Sequence, residues 1–396
     1  MPINPTLYAF GSNGSGQLGI GHAEDVSVPT RCIFEESSSS AAAGHESGSS
    51  DLPGRVSRIV AGGNHTLVLL DDGRVYAAGW SADGRCGPGS SGVLDGSSSD
   101  GGPWQFRTSF KRVRVLDPGT GAEYAVFKGV AAMWEATVLV AAPTGGDGDV
   151  VFVLGSGGKG ELGFGPGVTT QVSAARIEKF PPAGEEVVGV AGGMGHCVVV
   201  LSDGSVYGWG AARKGQLGSG LAGEKVVWEP RRVEGVSFPV CDAVCGREFT
   251  VLCGDRGRGE FVVLGSVGDR WGVLSGVPGA GEVSGYLRMA ASWHGVYVHQ
   301  KDLSVLAWGR DDRGQLPPAG ELSRAREVAV GSEHGLALLD DRTVVAFGWG
   351  EHGNCGPDTD AQGNVKGTCS RIPLPEGDFE VIGLGAGCAT SWIVAS

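Results

Sequence analysis

Side chains that bind metals in other proteins occur in two patterns along this chain. The stretch GWGEHGNC (348–355) places His352 and Cys355 at H-x-x-C spacing, and Cys369 and Cys388 follow further on. Imidazole and thiolate are the usual zinc ligands. The second pattern is a set of histidines that follow short turns at intervals along the chain: His65, His196, His294 and His334.

A third stretch, GSGGKG (155–160), satisfies the G-x-G-x-x-G pattern of dinucleotide-binding loops directly after the apolar run VVFVLG. That fingerprint requires a helix next. The residues that follow, ELGFGPGVTT, are too rich in glycine and proline to form one. We therefore interpret GSGGKG as a turn. Because G-x-S-x-G, H-E-x-x-H and Cys/His signatures are absent from any fitting context, we expect no enzymatic activity.

These stretches belong to an internal repeat. FGSNGSGQLG (10–19) recurs at 78–87, 154–163 and 209–218, and in weaker form at 264–273, 308–317 and 347–356. GWGEHGNC is thus part of the seventh copy, and Cys355 takes the leucine position of Q-L-G, which predicts a buried apolar side chain rather than a ligand. Glycine accounts for 72 of 396 residues, which disfavours long helices and fits many tight turns.

A second element precedes most copies and is clearest as VAGGNHTLVLLDDGRVYAAG (60–79). Asp-Gly between two β-branched and aromatic runs predicts a β-hairpin. Hairpin and turn together recur every 39 to 76 residues, judged by glycines 11, 79, 155, 210, 265, 309 and 348, a period that suits a four-stranded propeller blade with variable loops.

The two ends of the chain complete one repeat. GLGAGCATSWIVAS at the C-terminus holds the first half, and TLYAFGSNG at the N-terminus holds the second. We therefore predict an all-β fold, a seven-bladed β-propeller over residues 1–396 as a single domain, closed by pairing of the N- and C-terminal strands. The Ser/Gly-rich stretches 35–54 and 87–103 are predicted to be loop insertions, and 142–149 a lengthened hairpin turn.

The fold argues against a metal centre. Neighbouring blades of a sevenfold ring are turned by about 51°, so histidines from mostly non-adjacent blades cannot meet around zinc at about 2.0–2.3 Å. We expect no metal and no cofactor, and we expect each imidazole to hydrogen bond to the backbone instead.

The histidine turns should gather on one rim of the channel and form a mixed aromatic and acidic patch, the kind of surface that favours protein recognition. In GWGEHGNC, an aromatic residue beside charges on a rigid glycine turn is typical of an interface anchor. The predicted partner-binding residues are Trp134, Glu135, Arg247, Glu248, Trp293, His294, Glu333, His334, Trp349, Glu351 and His352.

Charge and composition restrict the partners. A net charge of −13 disfavours direct nucleic-acid binding, which needs clustered lysine and arginine, and favours a basic protein surface. The longest apolar stretch, 124–142, is interrupted by Lys128 and Glu135, so we expect no membrane span. Nine cysteines without a C-x-x-C pair suit reduced thiols. We expect a cytoplasmic protein, with the nucleus as a second location.

The pattern G-x-x-H, strand, D-G, strand, G-x-x-x-x-G-Q-L-G resembles the regulator-of-chromosome-condensation (RCC) repeat, a family of seven-bladed propellers, over essentially the whole chain. The stretches 8–31, 62–66, 331–335 with 348–357, and 387–394 are similar to one fungal branch of it. This resemblance implies a regulatory subunit that forms a heterodimer with a small CSL-type metal-binding protein of the diphthamide biosynthesis protein three family. It also implies a link to Elongator-dependent wobble-uridine modification of tRNA. The alternative that the family offers is guanine-nucleotide exchange on a Ran-type GTPase.

Overall fold

The computed structural model of the chain describes residues 5–35, 52–88, 106–142, 148–318, 320–322, 324–377 and 379–396. Almost all regular structure in these residues is β-strand. The first strands are β1 (Thr6–Gly11), β2 (Val26–Arg31), β3 (Phe34–Glu35), β4 (Val56–Ala61), β5 (His65–Leu70), β6 (Val75–Trp80), β7 (Phe106–Arg112), β8 (Val115–Leu116), β9 (Glu123–Tyr124), β10 (Gly129–Ala132), β11 (Ala136–Ala141), β12 (Val150–Ser156), β13 (Thr170–Arg176), β14 (Val187–Gly192), β15 (His196–Leu201), β16 (Val206–Ala211) and β17 (Val226–Arg232).

The remaining strands are β18 (Asp242–Cys245), β19 (Phe249–Cys253), β20 (Phe261–Gly265), β21 (Arg288–Ala291), β22 (Gly295–His299), β23 (Val305–Gly309), β24 (Ala325–Val330), β25 (His334–Leu339), β26 (Val344–Trp349), β27 (Asn364–Arg371), β28 (Val381–Ala386) and β29 (Thr390–Ala395). The short helices are α1 (Ala280–Val283) and two 3-10 turns, Ser219–Leu221 and Arg256–Arg258. None of the helices in the described ranges is long and apolar enough to cross a membrane.

Seven antiparallel sheets form the blades. From the channel outward, blade 1 is β28-β29-β1-β2, blade 2 is β4-β5-β6-β7 with β3 added in parallel outside β7, blade 3 is β10 to β13, blade 4 is β14 to β17, blade 5 is β18 to β20, blade 6 is β21 to β23, and blade 7 is β24 to β27. β8 and β9 form a separate two-stranded ribbon.

The ring closes where the sequence predicts. The innermost strands contact one another in the order β4, β10, β14, β18, β21, β24, β28, and β28 contacts β4 again. β1 pairs with β29 in unbroken register from Thr6 opposite Ala395 to Gly11 opposite Thr390. The all-β fold, the seven blades and the closure by the terminal strands are therefore confirmed.

The core lies between the blades, because both faces of each sheet pack against a neighbouring blade. Leu7 and Trp392 of blade 1, for example, pack with Val68 and Tyr76 of blade 2, and all four are almost fully buried. The second strand of each blade is buried on both faces, which explains why its sequence is a continuous apolar run instead of an alternating one.

Blades 5 and 6 depart from the predicted four-stranded plan, since the described part of the chain gives each of them three strands. In blade 5 the chain beyond β20 runs through 266–287, where six glycines and Pro278 interrupt any β-branched run. Glycine and proline are both depleted in strands, so no outer strand forms. The predicted insertions 35–54 and 87–103 and the turn 142–149 fall mostly outside the described residues and stay predictions.

Candidate protein-interaction face

Two sets of loops meet on one face of the ring. In each blade the first strand ends, and the second begins, at the turn that carries the G-x-x-H pattern in blades 2, 4 and 7, and the third strand returns to this same level. In blade 7, His334 lies opposite Gly348, and the Trp349 N–H donates to the Glu333 carbonyl at 2.9 Å. The same bond recurs in the other blades, as from Trp80 to Asn64. The rim turns and GWGEHGNC therefore share one surface, the upper face.

Gly348 shows why this turn needs glycine. Its φ is 105°, and a Cβ there would approach the Glu333 carbonyl oxygen to 2.5 Å. A residue with a side chain would be strained by its backbone conformation and would collide with the neighbouring turn. The recurring glycine is thus a requirement of the crossing between two loops, and it places Trp349 directly beside Glu333.

Trp134 and Trp293 meet across the channel at the upper face. They come from blades 3 and 6, and their ring centroids are 5.7 Å apart with an interplanar angle of 49°. The Arg247 guanidinium lies 5.4 Å from the Trp293 ring centroid. Both tryptophans also line the central cavity of about 920 Å³. This central pair therefore covers the upper end of the channel with two large, half-buried aromatic rings.

Backbone bonds hold the central pair in place. The Trp134 N–H donates to Met194 at 3.0 Å, and the Trp293 N–H donates to Ser332 at 2.8 Å. Gly63 donates to the Trp134 carbonyl at 2.8 Å, and a Cβ at Gly63 would come within 2.8 Å of the Trp134 ring. Each turn is thus tied to the next blade, which fixes the rings before any partner arrives.

A second cluster surrounds Trp271. The guanidinium groups of Arg270 and Arg310 each lie 4.5 Å from its ring centroid, and the His294 ring is 5.9 Å away. Cation–π contacts of this kind stabilise by about 0.5–1 kcal/mol at exposed sites. We call Trp271, Arg270, Arg310 and His294 the Trp271 cluster.

The buried carboxylate of Glu333 anchors the Trp271 cluster. Arg310 Nη1 donates to Glu333 Oε1 at 2.6 Å, Gln315 Nε2 donates to Oε2 at 3.1 Å, and His294 Nδ1 lies 3.4 Å from Oε1. Burial alone would raise the pKa of Glu333, but the contacts with His294, Arg310 and Gln315 outweigh it and hold the pKa below its ordinary value. Glu333 therefore supports the surface as an anion and is itself almost fully buried.

A third cluster lies further out, on GWGEHGNC. The His352 ring meets Trp349 edge to face at 5.4 Å, and the Arg313 guanidinium lies 5.2 Å from the Trp349 ring centroid. Trp349 Nε1 donates to Glu351 Oε2 at 3.1 Å, and His352 Nδ1 lies 2.8 Å from Asp25 Oδ2 of blade 1. These residues form the Trp349 cluster, which spans blades 6, 7 and 1.

The predicted acidic residues are mostly paired. Glu135 lies 3.4 Å from buried Arg85, and Glu248 lies 3.8 Å from Lys214. The sequence analysis expected an aromatic and acidic patch; the structure instead places four arginines over three of its tryptophans. The upper face is thus an aromatic surface with arginines on it, bordered by carboxylates.

Three of the recurring histidines connect neighbouring blades. Nε2 of His65, His196 and His334 lies 2.9, 2.9 and 3.0 Å from a hydroxyl of the next blade, on Thr137, Thr250 and Ser391 respectively. The sequence analysis expected a backbone partner. Thr137 in turn donates to the Arg85 carbonyl at 2.7 Å, so it accepts from His65, and Nε2 of that histidine carries the proton.

Two assignments of these histidines are corrected. His334 is fully buried and does not lie on the rim surface where the sequence placed it. His294 is not equivalent to the other three: Gly295 pairs with Gly309 as His65 pairs with Gly79, so His294 stands one position earlier, within the turn, where its side chain is partly exposed. The offset arises because blade 6 has glycine at the histidine position.

The H-x-x-C pair does not form a ligand set. Cys355 is completely buried, which raises the pKa of its thiol, whereas His352 is half-buried and turned toward Asp25. Across the described ranges, no three His, Cys, Asp or Glu side chains come together in a geometry that could hold a metal ion.

Sequence reasoning missed Trp271, Arg270, Arg310 and Arg313. A signal was present, because Trp271 stands at the glutamine position of a weakened repeat, LGSVGDRWGV, and Arg270 stands where other copies have glycine. Departure from the repeat singled out Trp349, and the same criterion applies to Trp271.

Family models match the chain in several segments. Two models, both described as the regulator of chromosome condensation (RCC1) repeat, match residues 6–69 with 203–253 and residues 56–85 with 325–354. An RCC1 repeat-containing protein of Schizosaccharomyces pombe is 29% identical over 98% of both chains. The secretion-regulating guanine nucleotide exchange factor of Mus musculus is 27% identical over 96% of this chain and 82% of its own.

Solved structures support the same architecture. Human WBSCR16 superimposes with a TM-score of 0.71 at 16% identity, over 100% of this chain and 99% of its own. Prp20p of Saccharomyces cerevisiae gives a TM-score of 0.70 at 16% identity, over 100% and 92%. At such low identity these neighbours show the fold alone. Together with the repeat matches and the seven-bladed ring, they show that this chain carries RCC1 repeats and is an RCC1-like seven-bladed propeller.

Proposed function

We propose that this propeller is a non-catalytic binding subunit that recognises another protein through its upper face. The observation that carries the proposal is the alignment of three tryptophan clusters on that face, each with an arginine over a ring. Tryptophan and arginine are the residues most enriched at energetically dominant interface positions. Held by glycine turns and by backbone bonds between blades, these side chains lose little conformational freedom on binding.

For the partner, we propose a small CSL-type zinc or iron protein of the diphthamide biosynthesis protein three family. The support is the resemblance of four stretches to the fungal alpha-tubulin suppressor, also called killer-toxin-insensitivity protein thirteen. Two of those stretches, 331–335 with 348–357 and 387–394, lie at or next to the upper face in blades 7 and 1. On this proposal the heterodimer serves diphthamide synthesis on elongation factor two and Elongator-dependent wobble-uridine modification of tRNA, in the cytoplasm and the nucleus.

Binding is expected to depend on the Trp349 cluster. Replacing Trp349 and His352 by alanine removes the ring on which Arg313 lies and the contact to Asp25. We expect the double variant to bind the CSL-type protein more weakly by about 2–4 kcal/mol, the scale of aromatic hot spots, which is roughly 30- to 1,000-fold in Kd. Calorimetric titration measures this directly.

A matched control lies at the opposite end of the blades. Val188, at the start of β14, is 55% exposed. Val188→Ala should bind like the unaltered protein. If the Trp349/His352 double variant melts normally and also binds normally, the Trp349 cluster is not part of the interface.

A second candidate function is nucleotide exchange on a small GTPase. The observation that favours it is the similarity, at 27% identity over 96–100% of this chain, to proteins named secretion-regulating guanine nucleotide exchange factor in mouse and cattle.

One assay distinguishes the two proposed functions. We expect purified protein, at saturating concentration, to leave GDP release from a Ran-type GTPase at its intrinsic rate, measured with a fluorescent nucleotide and with an authentic exchange factor as positive control. Clear acceleration of release would overturn the binding-subunit proposal in favour of exchange activity.

A further inference from the structure

Blade 5 ends at a strand, β20, beside whose outer edge no other described residues form a strand. Five blades have an outer fourth strand, but β20 is the last strand of blade 5. All five residues of β20 are half-buried, whereas the corresponding strands β6 and β12 are buried almost throughout. The backbone of 266–287 is described in full and forms loops and α1, so this part of the chain does not supply the missing strand.

The hydrogen-bonding groups of β20 that face outward can be identified from the ladder. The Ser266 N–H points inward, since it donates to the Glu248 carbonyl at 2.8 Å. Backbone direction alternates along a strand, so the N–H and C=O of Val263 point outward. In blade 2 the equivalent residue, Ala77, pairs with Lys111 of the outer strand. No hydrogen bond from another described residue reaches the outward groups of Val263.

The chain after β20 packs beside the blade rather than along its edge. Val273, Val283 and Tyr286 are buried in the cluster between blades 5 and 6. The same segment leaves Val267 exposed at 62% and Val277 at 40%. Exposed apolar side chains therefore follow the open edge of β20 in the chain.

An added strand would extend two apolar faces. Val262 and Leu264 pack on the cluster shared with blade 4, and Phe261 and Val263 pack on the cluster shared with blade 6. Side chains of a paired strand lie beside those of β20 on the same faces. An incoming segment would thus place apolar side chains over both neighbouring blades.

The outer strands of the other five blades carry positive charge near their C-terminal ends. Each contains an arginine at the same position, paired with the third-strand residue that stands three positions before the turn glycine. These arginines are Arg31, Arg112, Arg176, Arg232 and Arg371. Four of them, Arg112, Arg176, Arg232 and Arg371, lie near a carboxylate. Arg176 is 3.5 Å from Asp117. Hydrogen bonds from Ser205 and Thr343 lower the pKa values of Asp203 and Asp341, respectively. The nearby charges of Arg232 and Arg371 lower these two pKa values further.

Blade 5 keeps an acidic turn without an outer strand. Asp255 and Glu260 lie at the turn between β19 and β20, where Arg258 contacts both, at 3.2 and 3.3 Å. Arg256 is paired with Asp242 at 3.3 Å. Arg256 is thus turned inward, toward the innermost strand, so at the edge itself Asp255 and Glu260 share only Arg258, and a basic residue there would complement them.

We propose that the open edge of blade 5 binds an extended segment of a partner protein, which adds antiparallel to β20 as the fourth strand of the blade. The segment carries apolar side chains on both of its faces and a basic residue at its C-terminal end, beside the turn that holds Asp255. Addition of a strand to a free sheet edge is an established mode of peptide recognition. This site is separate from the upper face and does not depend on the function proposed above.

Hydrogen exchange in the full chain tests the edge. In the free protein, the Val263 amide should exchange at least about 100-fold faster than those of Ala77 and Val153, which are paired with outer strands. The probe is a synthetic peptide with the sequence TQVSAAR, the outer strand of blade 3. At about 1 mM it should slow Val263 exchange at least tenfold, and the peptide TQVSAAE should do so less.

Two proline variants locate the binding. Val263→Pro removes the outward N–H and leaves the inward ladder of Val262 and Leu264 intact, since proline is tolerated on edge strands. It should abolish peptide binding. Ala307→Pro, at the same position of blade 6, should bind the peptide like the unaltered chain.

Four results would overturn the proposal. The peptide fails to slow Val263 exchange in the unaltered chain, or Val263→Pro binds it normally. Alternatively, the Val263 amide is already protected in a monomer, which means that the chain covers its own edge. Protection that appears only with dimer formation in sedimentation would identify a second copy as the occupant. If Val263→Pro does not fold, the exchange data on the unaltered chain still decide.

Discussion

A chain that ends at residue 380 is expected to be insoluble or aggregated. The deletion removes β28 and β29, and with them the inner half of blade 1. It takes away Trp392, Ile393 and Val394, all nearly fully buried, and leaves β1 without its inner partner. Loss of these side chains costs on the order of 5–10 kcal/mol by burial alone, comparable to the whole stability of a typical domain.

The deletion also opens the inner edge of β1 and uncovers the faces of blades 7 and 2 that pack against the lost strands. Exposed strand edges pair with other chains, so the product should be aggregated rather than merely less stable. Light scattering and thermal melting measure both effects. Ile382→Ala is the matched control, because this side chain lies on the same strand, is 45% exposed and should melt normally. A monomeric truncated chain with unchanged melting would show that the terminal strands do not close the ring.

Acid is expected to destabilise the protein well above the pH at which most carboxylates titrate. Burial lowers the pKa of His65 to about 3, and of His196 and His334 to about 4, while an unfolded histidine titrates near 6.5. Below pH 6.5 the unfolded chain binds protons that the folded chain does not. The stability is therefore complete above pH 6.5 and falls as the pH drops toward 4.

The size of this effect follows from the proton linkage. Between pH 6.5 and 4.5 each buried histidine accounts for about 2–3 kcal/mol, so the three together account for on the order of 6–8 kcal/mol. Urea unfolding at several pH values measures the slope. His196→Phe copies Phe249, which stands at this position in the next blade, and should reduce the slope by one proton even though it leaves the Thr250 hydroxyl without its imidazole partner. An unchanged slope in that variant would mean that His196 titrates equally in both states.

Most of the architecture could be predicted from the sequence because each blade is specified locally. Strand, Asp-Gly turn and strand lie within about twenty residues, and the turn glycines recur wherever backbone must cross backbone, as at Gly348. Seven copies and a split repeat at the two ends determine both the number of blades and the closure. The partner-binding role of the predicted surface residues stays a prediction.

That the described residues form no outer strand in blades 5 and 6 was less predictable. The repeat period leaves enough residues for a fourth strand in blade 5, and only the glycines and Pro278 in 266–287 indicate that it does not form. In the folded protein this segment buries Val273, Val283 and Tyr286 in the cleft between blades 5 and 6 instead of pairing with β20. That competition depends on the assembled core and is not visible in the local sequence.

The sequence by itself determined the repeat, the all-β class, the blade number and the positions of the turns, because these depend on interactions between residues close together in the chain. Only the tertiary structure decided which surface those turns build. Trp134 and Trp293 are 159 residues apart and meet because the ring brings blades 3 and 6 to opposite sides of one narrow channel. The complete burial of His334 and the partial exposure of His294 were decided in the same way, since a shift of one residue in a turn moves a side chain from the core to the turn itself.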